Sequence, residues 1–116
     1  MMPKESALLR EPGEETPVWW LGHAVSYLAI GAETNGVYSM SITTVTPRMD
    51  PETYQHPFAR GIYILEGDLV VRAGQEELLL HQGDYIHLAG NVAHSLANLS
   101  TLSTKILTLS LPAGLD

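Results

Sequence analysis

The sequence predicts an all-β protein, a sandwich or barrel of about ten short antiparallel strands. Three observations lead there. From Trp19 onward, apolar residues come in short runs whose dominant period is two, not 3.6. The runs are separated by Gly, Pro, Asn and Asp, which favour reversals of the chain. About ten such runs share roughly 95 residues, a density met by two packed sheets or a closed one.

In chain order, residues 1–16 read as an N-terminal arm that is mobile or covers an edge, with helix confined at most to Glu5–Arg10. Residues 17–116 form a single domain. Strands are expected at Val18–Leu21 and Val25–Ile30, where Trp19 and Trp20 must point to opposite faces. Val37–Val45 alternates most clearly: Tyr38, Met40 and Ile42 share one face and Ser39, Ser41 and Thr43 the other. Pro47, Pro51 and Pro57 predict an irregular loop, because proline cannot donate to a ladder, followed by an edge-like strand at Tyr54–Phe58. Gly61–Leu65, Asp68–Ala73, Leu78–Leu80 and Asp84–Leu88 follow, joined by turns at Glu66-Gly67-Asp68, Ala73-Gly74-Gln75 and Gln82-Gly83-Asp84 that suggest consecutive antiparallel strands. Ala93–Leu99 and Thr104–Leu111 complete the set. Leu69-Val70-Val71 and Leu78-Leu79-Leu80 are apolar at both parities, so both faces need cover, most simply in a two-fold homodimer.

Composition narrows the function. A chain of 116 residues that is 45% hydrophobic and 16% charged folds as one globular domain. Six Lys and Arg against thirteen Asp and Glu leave a net charge of -7, which repels phosphate backbones and anionic lipid, so neither nucleic acid nor a membrane is expected as partner. The first seventeen residues hold no apolar run beyond Ala7-Leu8-Leu9, and no later segment could span a bilayer as a helix; a cytoplasmic protein is expected. The absence of cysteine removes disulfides, thiolate nucleophiles and Cys-ligated metal, so a metal would need histidine and carboxylate.

Two segments carry the chemistry. In Tyr54-Gln55-His56-Pro57-Phe58-Ala59-Arg60, Tyr54 and His56 share a strand face, and Arg60 joins them if the intervening turn restores parity. In Gly83–Asn98, two turns and a strand deliver His94 and then Asn98 on one face. His23, His81 and His87 are expected to be incidental, His87 lying opposite the inward-facing Ile86 and Leu88.

These segments resemble the two motifs of the cupin superfamily, and the likeness covers roughly residues 18–114. The first family motif has two histidines separated by one residue, a glutamate four or five positions on, and a glycine seven after the glutamate. Counting back from Gly67 sets Arg60 at the glutamate, His56 at the second histidine and Tyr54 at the first. In the second motif Gly83, His94 and Asn98 match, while Ala89 and Asn91 replace a proline and a glycine. Trp19-Trp20-Leu21-Gly22-His23 and Leu28–Gly36 are similar to the leading strands of quercetin-dioxygenase-like single-domain cupins. The resemblance implies a jelly roll. Active members hold Fe, Mn, Ni, Cu or Zn through three histidines and a glutamate.

This chain keeps two of those four ligands. A guanidinium has no acceptor atom and stays cationic, and at an effective dielectric of about 20 it opposes a nearby divalent ion by several kcal/mol. No cofactor is therefore favoured; if a divalent transition metal binds, His56, His94 and Tyr54 are its expected ligands. The expected function is metal-independent acid–base chemistry of cyclase, isomerase or lyase type on a small organic acid, enol or polyketide-like substrate. His56, Arg60, Tyr54 and His94 are its catalytic residues; Tyr38, Met40, Ile42, Ile62, Ile64, Leu96 and Asn98 line the pocket. A metal-dependent dioxygenase is the first alternative, and a non-catalytic ligand-binding cupin the second.

Overall fold

The computed structural model describes residues 7–11, 17–20, 23–47, 53 and 55–113, with the backbone alone for 17–20 and 23. The described strands are β1 (Pro17–Trp20), β2 (His23–Ala29), β3 (Ser39–Val45), β4 (Ala59–Glu66), β5 (Leu69–Ala73), β6 (Glu76–Leu80), β7 (Tyr85–Leu88), β8 (His94–Ala97) and β9 (Thr104–Leu111). They build two antiparallel sheets, one of order β1-β2-β3-β9-β4-β7 and one of order β6-β5-β8. The core lies between them: Val45, Ile62, Ile64, Leu88 and Ile106 from the larger sheet meet Leu69, Val71 and Leu80 from the smaller, with Ala73, Ile86 and Leu96 packed at its margin. Complete burial of Ile62, Ile64 and Ile106 contributes roughly 1.5–3 kcal/mol each. Period-two patterning becomes an all-β sandwich because each strand has one face to bury.

The turns behave less uniformly than their sequences suggest. Of the three glycine turns at 67, 74 and 83, the one at Gly74, with φ +60°, closes a hairpin, between β5 and β6. The turns at Gly67 (φ +86°) and Gly83 (φ +91°) instead carry the chain from one sheet to the other, so β4 does not pair with β5, nor β6 with β7. The pairing of β4 with β7 extends to the Gly83 turn, where Gly83 N–H donates to the Ile64 carbonyl at 2.9 Å.

Two expectations need correction. No strand forms at residues 55–58, and Tyr54 lies outside the described residues. Pro57 lacks an amide proton, and the His56 carbonyl is taken by the Asn91 N–H at 2.5 Å; the segment is thus held by the loop before β8, where Gly90 packs against Pro57 too closely for a Cβ. The second correction is α1 (Gly31–Thr34), a single helical turn between β2 and β3 that alternation hid, while residues 7–10 of the arm are not helical. Glu33 accepts from the Ile30 N–H at 3.1 Å, and Asn35 ends the turn at φ 58°, a left-handed conformation asparagine tolerates. The arm is anchored there too, since Arg10 donates to the Leu28 carbonyl at 3.0 Å and pairs with Glu33 at 2.5 Å.

Candidate active site

The site grows from three rungs of the larger sheet. Across β3, β9 and β4, Ser39 stands opposite Ser110, which stands opposite Arg60; one step along the strands, Ser41 faces Thr108 and Thr108 faces Ile62; Thr43 faces Ile106 in the third. Paired residues share a face, so one end of the sheet's inner surface carries hydroxyls and a guanidinium while the other is aliphatic. Val25, Tyr27, Ser39, Ser41, Thr43, Phe58, Arg60, Thr108 and Ser110 surround a cavity of about 40 Å³. Those nine side chains include no carboxylate.

Arg60 connects the cavity to the histidines. Its Nη1 lies 3.2 Å from Nε2 of His94, whose Nδ1 is 3.0 Å from the Val92 carbonyl. A carbonyl only accepts, so Nδ1 carries the proton and Nε2 offers its lone pair to Arg60. This tautomer is neutral, and the environment keeps it so: burial lowers the His94 pKa, the Val92 bond partly offsets that, and the Arg60 charge lowers it further. His56 stacks on Phe58 with ring centroids 4.7 Å apart and meets the His94 ring edge-on at 5.8 Å. Burial, then the charge of Arg60, then His94 hold its pKa below the ordinary imidazole value. Neither histidine lines the cavity, but each touches a side chain that does, His94 through its bond to Arg60 and His56 through its stacking on Phe58.

The structure thus brings His56, Arg60 and His94 together and leaves several expected wall residues elsewhere. Met40 and Ile42 lie on the other face of β3, opposite Leu109 and Leu107 of β9, and Tyr38 precedes the strand, its backbone bonded to the Thr34 hydroxyl. The inner face of β3 is its polar one because Val45 anchors that parity in the core. Ile62 and Ile64 are core residues and Leu96 packs against the core. Asn98, 1% exposed, donates to the carbonyls of Val45 and Leu102 and accepts from the N–H and hydroxyl of Ser100, so its polar atoms serve the loop between β8 and β9. His81 and His87 are exposed at the surface. A larger groove of about 450 Å³, on the outer side of the small sheet, is lined by Asp68, Leu69, Val70, Glu77, Leu79, Leu99 and Ser100, with none of the histidines or arginines among them.

Among the described residues the donor set is a poor match to a divalent metal. Arg60 stands against the one lone pair of His94 that a metal would take, and among the described residues no three of His, Cys, Asp and Glu gather as ligands. Among the described residues no helix is long and apolar enough to cross a membrane.

Comparison with known structures gives the same architecture. A predicted oxalate decarboxylase from Thermotoga maritima superposes with a TM-score of 0.79 at 16% identity, covering 90% of this chain and 99% of that one. An RmlC-like cupin from Shewanella frigidimarina gives 0.78 at 15%, over 93% of both chains. Hydroxypropylphosphonic acid epoxidase from S. wedmorenis, solved with fosfomycin, gives 0.79 at 18%, over 90% of this chain and 59% of the epoxidase. At these identities the likeness speaks for the fold. No curated protein matches in sequence. The profile of the cupin domain matches residues 41–110, more than half the chain and both motif segments, so the protein belongs to the cupin family.

Proposed function

We propose that this cupin acts in the cytoplasm on a small organic acid or enol by metal-independent acid–base chemistry of the isomerase, cyclase or lyase type. The observation that carries the reading is the Arg60 to His94 hydrogen bond beside His56, a half-buried cation held at a cavity next to two histidines kept neutral. Arg60 holds the negative charge of the substrate. His56 takes a proton from the carbon beside a carbonyl, directly or through one water; the C–H electron pair becomes an enolate facing Arg60, and the imidazolium returns the proton to another carbon or to a departing group. His94 positions Arg60. Tyr54 keeps its sequence-based role as hydrogen-bond donor in this proposal.

Exchange of α-protons in small 2-oxo and 3-oxo acids, followed by NMR in deuterated buffer near neutral pH, tests it. His56→Ala and Arg60→Gln are each expected to slow exchange by about 100-fold, the contribution typical of a positioned acid–base group. Unchanged rates in both variants would show the roles to be wrong. Elemental analysis of the same protein should find no stoichiometric transition metal; finding one would favour the metal-dependent oxygenase. Ligand binding with no exchange in the wild type would favour a binding protein.

A further inference from the structure

The hydroxyls around Arg60 are not incidental to that cavity. Ser39, Ser41, Thr108 and Ser110 are all buried on the inner face, where an apolar side chain would pack better against the adjoining core. Thr108 is the telling one: it is 4% exposed, lines the cavity, and among the described residues its Oγ1 has no hydrogen-bond partner. A buried hydroxyl without a partner costs roughly 1–3 kcal/mol, and valine at that position would have the same shape without the cost. The cavity, at about 40 Å³, is large enough for a few atoms and far too small for a ring system.

We infer that this cavity is the seat of a carboxylate. It takes the head group of a short-chain organic acid, one oxygen receiving the Thr108 hydroxyl proton and the other facing the Arg60 guanidinium. Ser41 beside Thr108, and Ser39 with Ser110 beside Arg60, supply further donors around the same planar group. The neutral tautomer of His94 matters here, because an imidazolium at that point would turn Arg60 away from the seat it serves. The inference rests on the reading of Arg60 as the anion-holding residue and adds which anion it holds and where.

Thermal unfolding at constant ionic strength, with sodium acetate or glyoxylate replacing chloride, reads the seat directly. The wild type should be stabilised by either carboxylate in a saturable way, and less by sulfate. Arg60→Gln should abolish the stabilisation, Thr108→Val should weaken the apparent affinity about tenfold, and Thr108→Ser, which keeps the hydroxyl, should retain it. Thr108→Val should also leave the ligand-free melting temperature unchanged or raised, which the loss of a structural hydrogen bond would not do. No carboxylate effect in the wild type, sulfate as effective as acetate, or a Thr108→Val protein with undiminished affinity would each overturn the inference. Loss of the effect in Arg60→Gln alone would displace the seat and leave the role of Arg60 standing. The proton-exchange rates of the His56 variant judge the functional reading separately.

Discussion

His94 illustrates how one residue ties stability to chemistry. The residue is 4% exposed, its ring donates to the Val92 carbonyl and accepts from Arg60, and only a neutral imidazole can do both. The folded protein holds this pKa, and that of His56, below the ordinary value of 6.5. In the unfolded chain both histidines titrate near that value, so on acidification the unfolded state takes up protons that the folded state resists. The stabilising contribution is complete above pH 6.5 and falls as pH drops through it toward the lower folded-state values. Melting temperatures measured from pH 7.5 to pH 5.5 should therefore decline, with a shallower slope in His94→Gln; equal slopes would mean that His94 is not held neutral. Arg60 and His94 were placed in one pocket only by the resemblance to the cupin motifs, whose alignment the glycines at 67 and 83 anchor. The role of Asn98 was not legible, since its partners Val45 and Leu102 lie 53 and 4 residues away, and no spacing rule tells a pocket amide from a loop pin.

At the scale of elements, the turns decide where strands go. Gly67 is left-handed at φ +86°, and a Cβ there would stand 2.8 Å from the Thr104 hydroxyl oxygen, which itself donates to the Asp68 carbonyl at 2.6 Å. Gly74 is also left-handed, at φ +60°, but a Cβ would meet nothing within 4 Å. Gly67→Ala is accordingly expected to cost about 2–3 kcal/mol and Gly74→Ala about 1 kcal/mol, read as shifts of the urea midpoint at constant m-value. Equal costs would mean that backbone conformation alone matters at Gly67. Turn chemistry was visible in the sequence, yet the difference between a hairpin and a sheet-to-sheet crossing was not, because both need the same positive φ. The strand expected at Tyr54–Phe58 does not form at residues 55–58 for a related reason: the His56 carbonyl is satisfied by a loop 35 positions on.

For the whole molecule, the acidic balance and the basic cavity are separate facts. A net charge of -7 arises over the full chain, whereas the side chains around the cavity contribute one cation and no carboxylate. The homodimer expected from the sequence remains a proposal with a physical motive. Leu69, Val71 and Leu80 go into the core, but Leu79 is 60% exposed and Leu99 61%, flanking the groove on the outer side of the small sheet. A second copy of the chain is the occupant we favour, through a two-fold contact. Sedimentation at micromolar concentration should give a dimer, and Leu79→Glu should shift it to monomer; a wild type that is monomeric throughout would remove the proposal.

Period-two patterning and turn glycines were enough, by themselves, to determine the all-β class and most strand positions, because those depend on local alternation; the meeting of His56, Arg60 and His94 was implied only by the resemblance of two spaced motifs to those of the cupins. The tertiary structure alone decided that the polar side of β3 faces inward. That choice follows from Val45, which carries the same parity of β3 into the core, while pairing with β9, about 60–70 positions away, sets Ser39, Ser41, Thr108 and Ser110 into one hydroxyl surface around Arg60. Alternation tells which residues share a face; only the packing of one sheet on the other tells which face is inside.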